Sequence, residues 1–93
     1  MTNKICFLCG GPAKYDDPLD DHHIWGGALR NKSEKYGLKV PLHHFKCHIF
    51  GPQAAHNNGN TMQLICEYGQ RKWMEETGGT TEDFIREFYR NYL

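Results

Sequence analysis

The chain lacks several features that would settle its class at once. No apolar run approaches the ~20 residues of a membrane span, and the opening stretch, MTNKICFLCGG, has neither the apolar segment nor the small-residue cleavage site of a secretory signal. Internal repeats, low-complexity tracts and linkers are also missing, which removes solenoids and tethered modules from consideration. Nor is there an excess of one charge, since 11 basic side chains balance 11 acidic ones. These absences lead to the expectation of a cytoplasmic protein with no membrane association, folded as one domain over residues 1–93.

At 93 residues, with 39% hydrophobic and 13% aromatic content, the core can only be small. Domains of this size often lean on a disulfide, a metal or a partner. Four cysteines and six histidines supply the candidates. In a reducing compartment, closely spaced cysteines point to metal rather than to disulfides. The zero net charge also hides a gradient. Residues 1–21 hold two Lys against four Asp, and residues 60–93 hold four basic side chains against six acidic. Residues 22–59 hold Arg30, Lys32, Lys35, Lys39 and Lys46 against Glu34 alone, and carry all six histidines. Such a surplus attracts a polyanion by counterion release, although five charges alone equally describe a solvated surface.

Cys6 and Cys9, followed by GGPA, read as a turn-rich knuckle, and YDDPLDD as an acidic loop in which Pro18 discourages regular structure. A short strand is predicted from His22 to Trp25, ended by Gly26 and Gly27. LKVPL, residues 38–42, predicts a second strand whose Pro41 marks an edge. Between them ALRNKSEKYG forms a basic excursion, so the two strands make a loose antiparallel pair. IFGP reads as a loop, and PQAAHNN as a single helical turn with Pro52 near its start. From Thr61 to Thr77 the positions Met62, Ile65, Cys66, Gly69 and Trp73 follow the spacing of an amphipathic helix, closed by Gly78 and Gly79. Thr80 and Asp83 predict a capping box for a last helix with the stripe Phe84, Ile85, Phe88, Tyr89 and Tyr92. The class is α+β, with a polar front half over 1–59 and supporting helices over 60–93.

Cys6-Phe-Leu-Cys9 has the bite that lets two thiolates reach one zinc from a tight turn. HHFKCH offers the second half. The two-residue gap to Cys47 favours His44, with His43 as the other candidate, for a closed structural Zn²⁺ site of Cys6, Cys9, His44 and Cys47. Binding at such sites appears as folding energy, roughly 10–16 kcal/mol in small peptides. Cys66 lies on the apolar face of the predicted long helix and reads as core.

A metal that does chemistry keeps an open position. His48 and His56 flank a short loop and can meet one ion, with His22 as a third ligand from the strand. Neighbours in a strand point to opposite sides, so His22 and His23 do not share that ion; they can flank one phosphate. His23 then serves as general base, since an imidazole can be neutral at working pH and take a proton from water. The competing reading is that all the histidines serve closed structural zinc sites.

HHIWGG, then RNKSEKYGLKVPL, CH and AAHNN, together with the knuckle, resemble the HNH (ββα-metal, or His-Me finger) endonucleases, closest to short bacteriophage HNH-like proteins related to the phage recombination-enhancement nucleases. The resemblance spans roughly residues 5–60 and extends to the tail FYRNYL. It implies a zinc-stabilised ββα-metal core with a C-terminal helical pair, and hydrolysis of DNA phosphodiester bonds to 5′-phosphate and 3′-hydroxyl ends. It implies His22, His48 and His56 as ligands of one divalent cation (Mg²⁺, Mn²⁺, Ni²⁺ or Zn²⁺) and His23 as base. It also implies a phage protein working in the bacterial cytoplasm in DNA processing or recombination. Two departures stand out. The central Asn of the motif has no match, Gly37 or Leu38 falling near its spacing, and the knuckle carries His44 where Cys is usual.

The expected function is therefore a metal-dependent endonuclease on double-stranded DNA, with Arg30, Lys32, Lys35 and Lys39 holding phosphates, and with a recombination or packaging protein as a further partner. The alternative is a non-catalytic, zinc-stabilised nucleic-acid or protein-binding adaptor, which the missing Asn favours. A weaker third reading makes the aromatic C-terminal helix a docking face for a host protein.

Overall fold

The computed structural model describes residues 4–49, 51, 54–56 and 58–93. Over these residues it is a mixed α+β structure with a two-stranded antiparallel sheet. Along the chain come β1 (Leu19–His23), a 3-10 turn (Gly27–Leu29), α1 (Arg30–Lys35), β2 (Lys39–His43), a π-helical turn (His44–Ile49), α2 (Gly59–Thr77) and α3 (Thr81–Phe88). Among the described residues no helix is long and apolar enough to cross a membrane.

Contacts divide the chain into two units, Met1–His22 with Lys39–Met62, and His23–Leu38 with Gln63–Leu93. The boundary differs from a cut at residue 59, because the excursion between the strands clusters with the C-terminal helices. The chain passes from one unit to the other between His22 and His23.

In the first unit, Cys6 N–H donates to Gly11 O (2.8 Å) and Gly10 N–H to Cys6 O (2.9 Å), closing the knuckle loop with Gly10 at φ 74°. That positive φ suits glycine, which has no Cβ to clash there. Phe7 N–H donates to Pro41 O (2.7 Å), tying the knuckle to β2. Val40, Leu42, His43, Cys47, Ala54 and Ala55 are buried. β1 starts at Leu19, three residues before the predicted strand, so the acidic stretch after Pro18 is extended rather than looped. The helical turn expected over PQAAHNN includes Pro52, Gln53 and Asn57, which lie outside the described residues. Asn58 Oδ1 accepts from Asn60 N–H and Thr61 N–H (2.9 and 3.2 Å), starting α2 two residues earlier than its apolar pattern suggests.

The second unit has an aromatic core. Trp25 sits 4.7 Å from Phe88 and 5.5 Å from Phe84 between ring centroids, Phe84 stacks on Phe88 at 4.6 Å, and Trp73 meets Phe84 edge-on at 5.6 Å. Gly69 of α2 makes room for this: a Cβ there would lie 2.8 Å from the Trp25 ring. Buried Ser33 closes the excursion by accepting from Trp25 N–H (3.0 Å) and donating to Trp25 O (2.8 Å). The Thr80–Asp83 capping box forms as read. Of the predicted stripe, Phe84 and Phe88 are buried, but Ile85 and Tyr89 are exposed. Tyr89 leaves helical geometry at φ 69°, which turns its ring off the helix face.

Candidate functional site

The π-helical turn after β2 decides how the histidines are shared out. Asp17 anchors it, one carboxylate oxygen accepting from Phe45 N–H (2.7 Å) and the other from Lys46 N–H (3.1 Å). Burial pushes the Asp17 carboxyl up, but these backbone donors and the nearby His43 and His44 hold it below the usual carboxylate range. On so wide a turn, residues four apart share a side. His43 and Cys47 form one such pair, and His44 and His48 form the next.

The first pair joins the knuckle. Cys6, Cys9, His43 and Cys47 each offer one ligand atom, all within 4.8 Å of one another, a group that could hold a metal such as zinc. His43 Nδ1 lies 3.2 Å from Cys9 Sγ and 3.9 Å from Cys47 Sγ. Its Nε2–H donates to Pro12 O (2.7 Å), which leaves Nδ1 with its lone pair toward the sulfurs. His44, the ring expected to complete this set, is turned away. The gap of two suits a tight loop, whereas the chain takes a helical turn in which position 43, not 44, stands over Cys47.

Burial pushes the Cys6 thiol up, yet backbone groups of Cys9, His43 and Leu8 and the Cys47 side chain hold it down to about 6. Cys47, buried and facing Cys6 and Cys9, is pushed up to about 12. One thiolate is favoured and a second is repelled by it, a conflict that a bound divalent cation removes. Cys66 belongs to the second unit, where burial raises its thiol, in keeping with a core role.

The second pair faces β1. His22, His48 and His56 also bring one ring nitrogen each within 4.8 Å of the others. His48 Nε2 lies 3.2 Å from His22 Nδ1 and 3.1 Å from His56 Nε2. Two nitrogens bound to one tetrahedral ion at about 2.0–2.1 Å stand roughly 3.3 Å apart, so this spacing fits a shared ion. His56 N–H donates to His48 O (3.1 Å) and Ala55 N–H to Cys47 O (2.9 Å), which holds the 54–56 segment beside the turn. His22 is buried, His48 half-buried and His56 exposed, so the group opens on the His56 side.

Beneath His48 lies Asp20, a residue that sequence reasoning passed over. Its Oδ2 is 3.0 Å from His48 Nδ1 and 2.5 Å from His44 Nδ1. Burial pushes this carboxyl up, but hydrogen bonds and charge from His48 and His44 hold it below the ordinary range. A signal existed: in a strand, residues 20 and 22 share a face.

His23 stands in the second unit with Glu34 of α1. Its Nε2 is 2.7 Å from Glu34 Oε2. A carboxylate only accepts, so Nε2 donates, and in the neutral ring the lone pair sits on Nδ1. Glu34, too, escaped sequence reasoning.

The four basic candidates are unequally placed. Arg30 and Lys35 are exposed on α1, Lys35 lying 5.2 Å from the Tyr36 ring centroid. Lys39 opens β2, half-buried. Lys32 is committed within the second unit, donating to Glu87 O, lying 3.3 Å from Glu87 Oε2 and standing over the Tyr89 ring at 5.2 Å.

Compared with family models, curated proteins and solved structures, the chain matches none.

Proposed function

We infer that the chain is a metal-dependent DNA endonuclease on the ββα-metal plan, as the HNH resemblance implies. The observation that carries the reading is the convergence of ring nitrogens from His22, His48 and His56. Three protein donors leave positions for water and a phosphate oxygen. An all-imidazole set ranks Zn²⁺ and Ni²⁺ above Mg²⁺ and Mn²⁺. A bound cation would supply positive charge against the negative charge that builds on the phosphoryl and leaving oxygens.

His23 follows the ligand His22 in the chain and acts as base. With Nε2–H given to Glu34, its Nδ1 takes a proton from water. The water oxygen bonds to phosphorus as the bond from phosphorus to the 3′ oxygen breaks, leaving a 5′-phosphate and, after protonation by solvent, a 3′-hydroxyl. Glu34 thereby orients the base, which in the HNH motif is the part of the central Asn. Arg30, Lys35 and Lys39 would hold phosphates without reading bases. The missing Asn favours a second reading, a zinc-stabilised adaptor that binds nucleic acid or protein without turnover.

Incubating supercoiled plasmid with the protein and Mg²⁺, Mn²⁺, Ni²⁺ or Zn²⁺ separates the two. The nuclease reading expects relaxed circles, lost in His23→Ala while fold and metal content stay. Undiminished nicking by His23→Ala rejects the base, and salt-sensitive binding with no cleavage under any ion supports the adaptor.

A further inference from the structure

His48 belongs to two groups at once, to His22 and His56 through Nε2 and to Asp20 and His44 through Nδ1. If both groups held ions, His48 would have to give up its last ring proton and bridge as an imidazolate. The distances speak against it. Two ligand atoms held by one ion at roughly 2.0–2.2 Å sit about 3 Å or more apart, yet Asp20 Oδ2 and His44 Nδ1 are separated by 2.5 Å. At that distance the two atoms share a proton, not a metal. The 3.0 Å to His48 Nδ1 is an ordinary charge-assisted hydrogen bond as well.

We propose that Asp20 is the positioning residue of a single-ion centre formed by His22, His48 and His56. Its Oδ2 accepts Nδ1–H from His48, which fixes the tautomer whose Nε2 lone pair faces the other two rings. The same oxygen accepts Nδ1–H from His44, and this second donor holds the carboxylate still. His44 thus serves the histidine centre indirectly and has no part in the knuckle. Metal-bound histidines commonly donate their far N–H to a carboxylate or carbonyl, and loss of that partner typically weakens binding 10–100-fold. The inference rests on the reading that the three imidazoles hold an ion, and it stands whether or not the chain cleaves DNA.

The test uses the full chain with zinc already in the knuckle, titrated with Ni²⁺ and followed by its visible absorption. Wild type should bind one Ni²⁺ per chain. Asp20→Asn, of nearly the same shape, should bind it 10–100-fold more weakly with an unchanged circular dichroism spectrum. His44→Ala, which spares the Asp20–His48 bond, should lose less. In the nickel-free protein, imidazole ¹⁵N NMR should show His48 protonated at Nδ1 and bare at Nε2, a readout that needs no variant to fold. Wild-type affinity in Asp20→Asn, or a His48 protonated at Nε2, overturns the proposal while leaving the histidine centre standing. Binding of a second Ni²⁺ that disappears in His44→Ala overturns it in favour of two ions. Failure of the wild type to bind any Ni²⁺ removes the three-imidazole reading itself.

Discussion

His43 and His44 are neighbours in the chain and belong to different side-chain groups. His43 turns Nδ1 toward a group of three sulfurs, those of Cys6 and Cys47 buried and that of Cys9 on an exposed residue, and backs its other nitrogen with the neutral carbonyl of Pro12. His44 meets no sulfur; it joins His48 on the Asp20 carboxylate, behind a group of three ring nitrogens with an exposed rim. A sulfur-rich set of four donors with a carbonyl behind it suits a metal held for structure. A nitrogen set backed by a carboxylate suits a metal that exchanges ligands. One residue of register on a wide helical turn separates the two.

Breaking the sulfur side should have the largest effect. Cys6→Ser, or prolonged chelation with a thiophilic chelator, removes a contribution of the order of 10 kcal/mol if zinc is bound, comparable to a small domain's whole stability. Loss of cooperative unfolding by calorimetry is the expected result. His48→Ala should leave that unfolding transition in place and abolish binding of the exchangeable ion, so the two centres fail independently. Equal damage from both substitutions would erase the distinction.

Smaller effects sharpen the contrast by leaving both centres alone. Gly69→Ala drives a Cβ into the Trp25 ring, which is too rigid to swing aside. A cost of about 1–3 kcal/mol is expected, read by chemical denaturation, with metal content unchanged. Thr80→Ala should cost about 1 kcal/mol through the lost cap. Hydrogen bonds to the Thr80 backbone and side chain hold the Asp83 carboxyl below its ordinary value. Its contribution is therefore full above the unfolded carboxylate pKa, about 3.9, and is lost as pH falls through the lower folded value. Asp83→Asn should flatten that part of the acid unfolding curve.

The readable parts of the molecule were those where spacing alone carries geometry. Cys6 and Cys9 stand in a tight turn with two residues between them, and the Thr80 cap and the Phe84–Phe88 pair follow helical rules. Misreading set in where the local turn was not the assumed one. Counting the gap before Cys47 as a loop selects His44, while a helical turn selects His43. Asp20 was hidden because Pro18 suggested a loop, although alternation from His22 along a strand would have exposed it. Glu34 was hidden because ALRNKSEKYG has no apolar stripe to announce α1; its one buried residue is Ser33, a polar side chain satisfied by the Trp25 backbone.

Stepwise loading of the metal-free protein with Co²⁺ tests the central claim most directly. The account predicts two ions per chain: one with intense thiolate-to-metal absorption that resists exchange, and one without that band that exchanges and disappears in His48→Ala. A single ion, or two ions that both carry thiolate absorption, would contradict it.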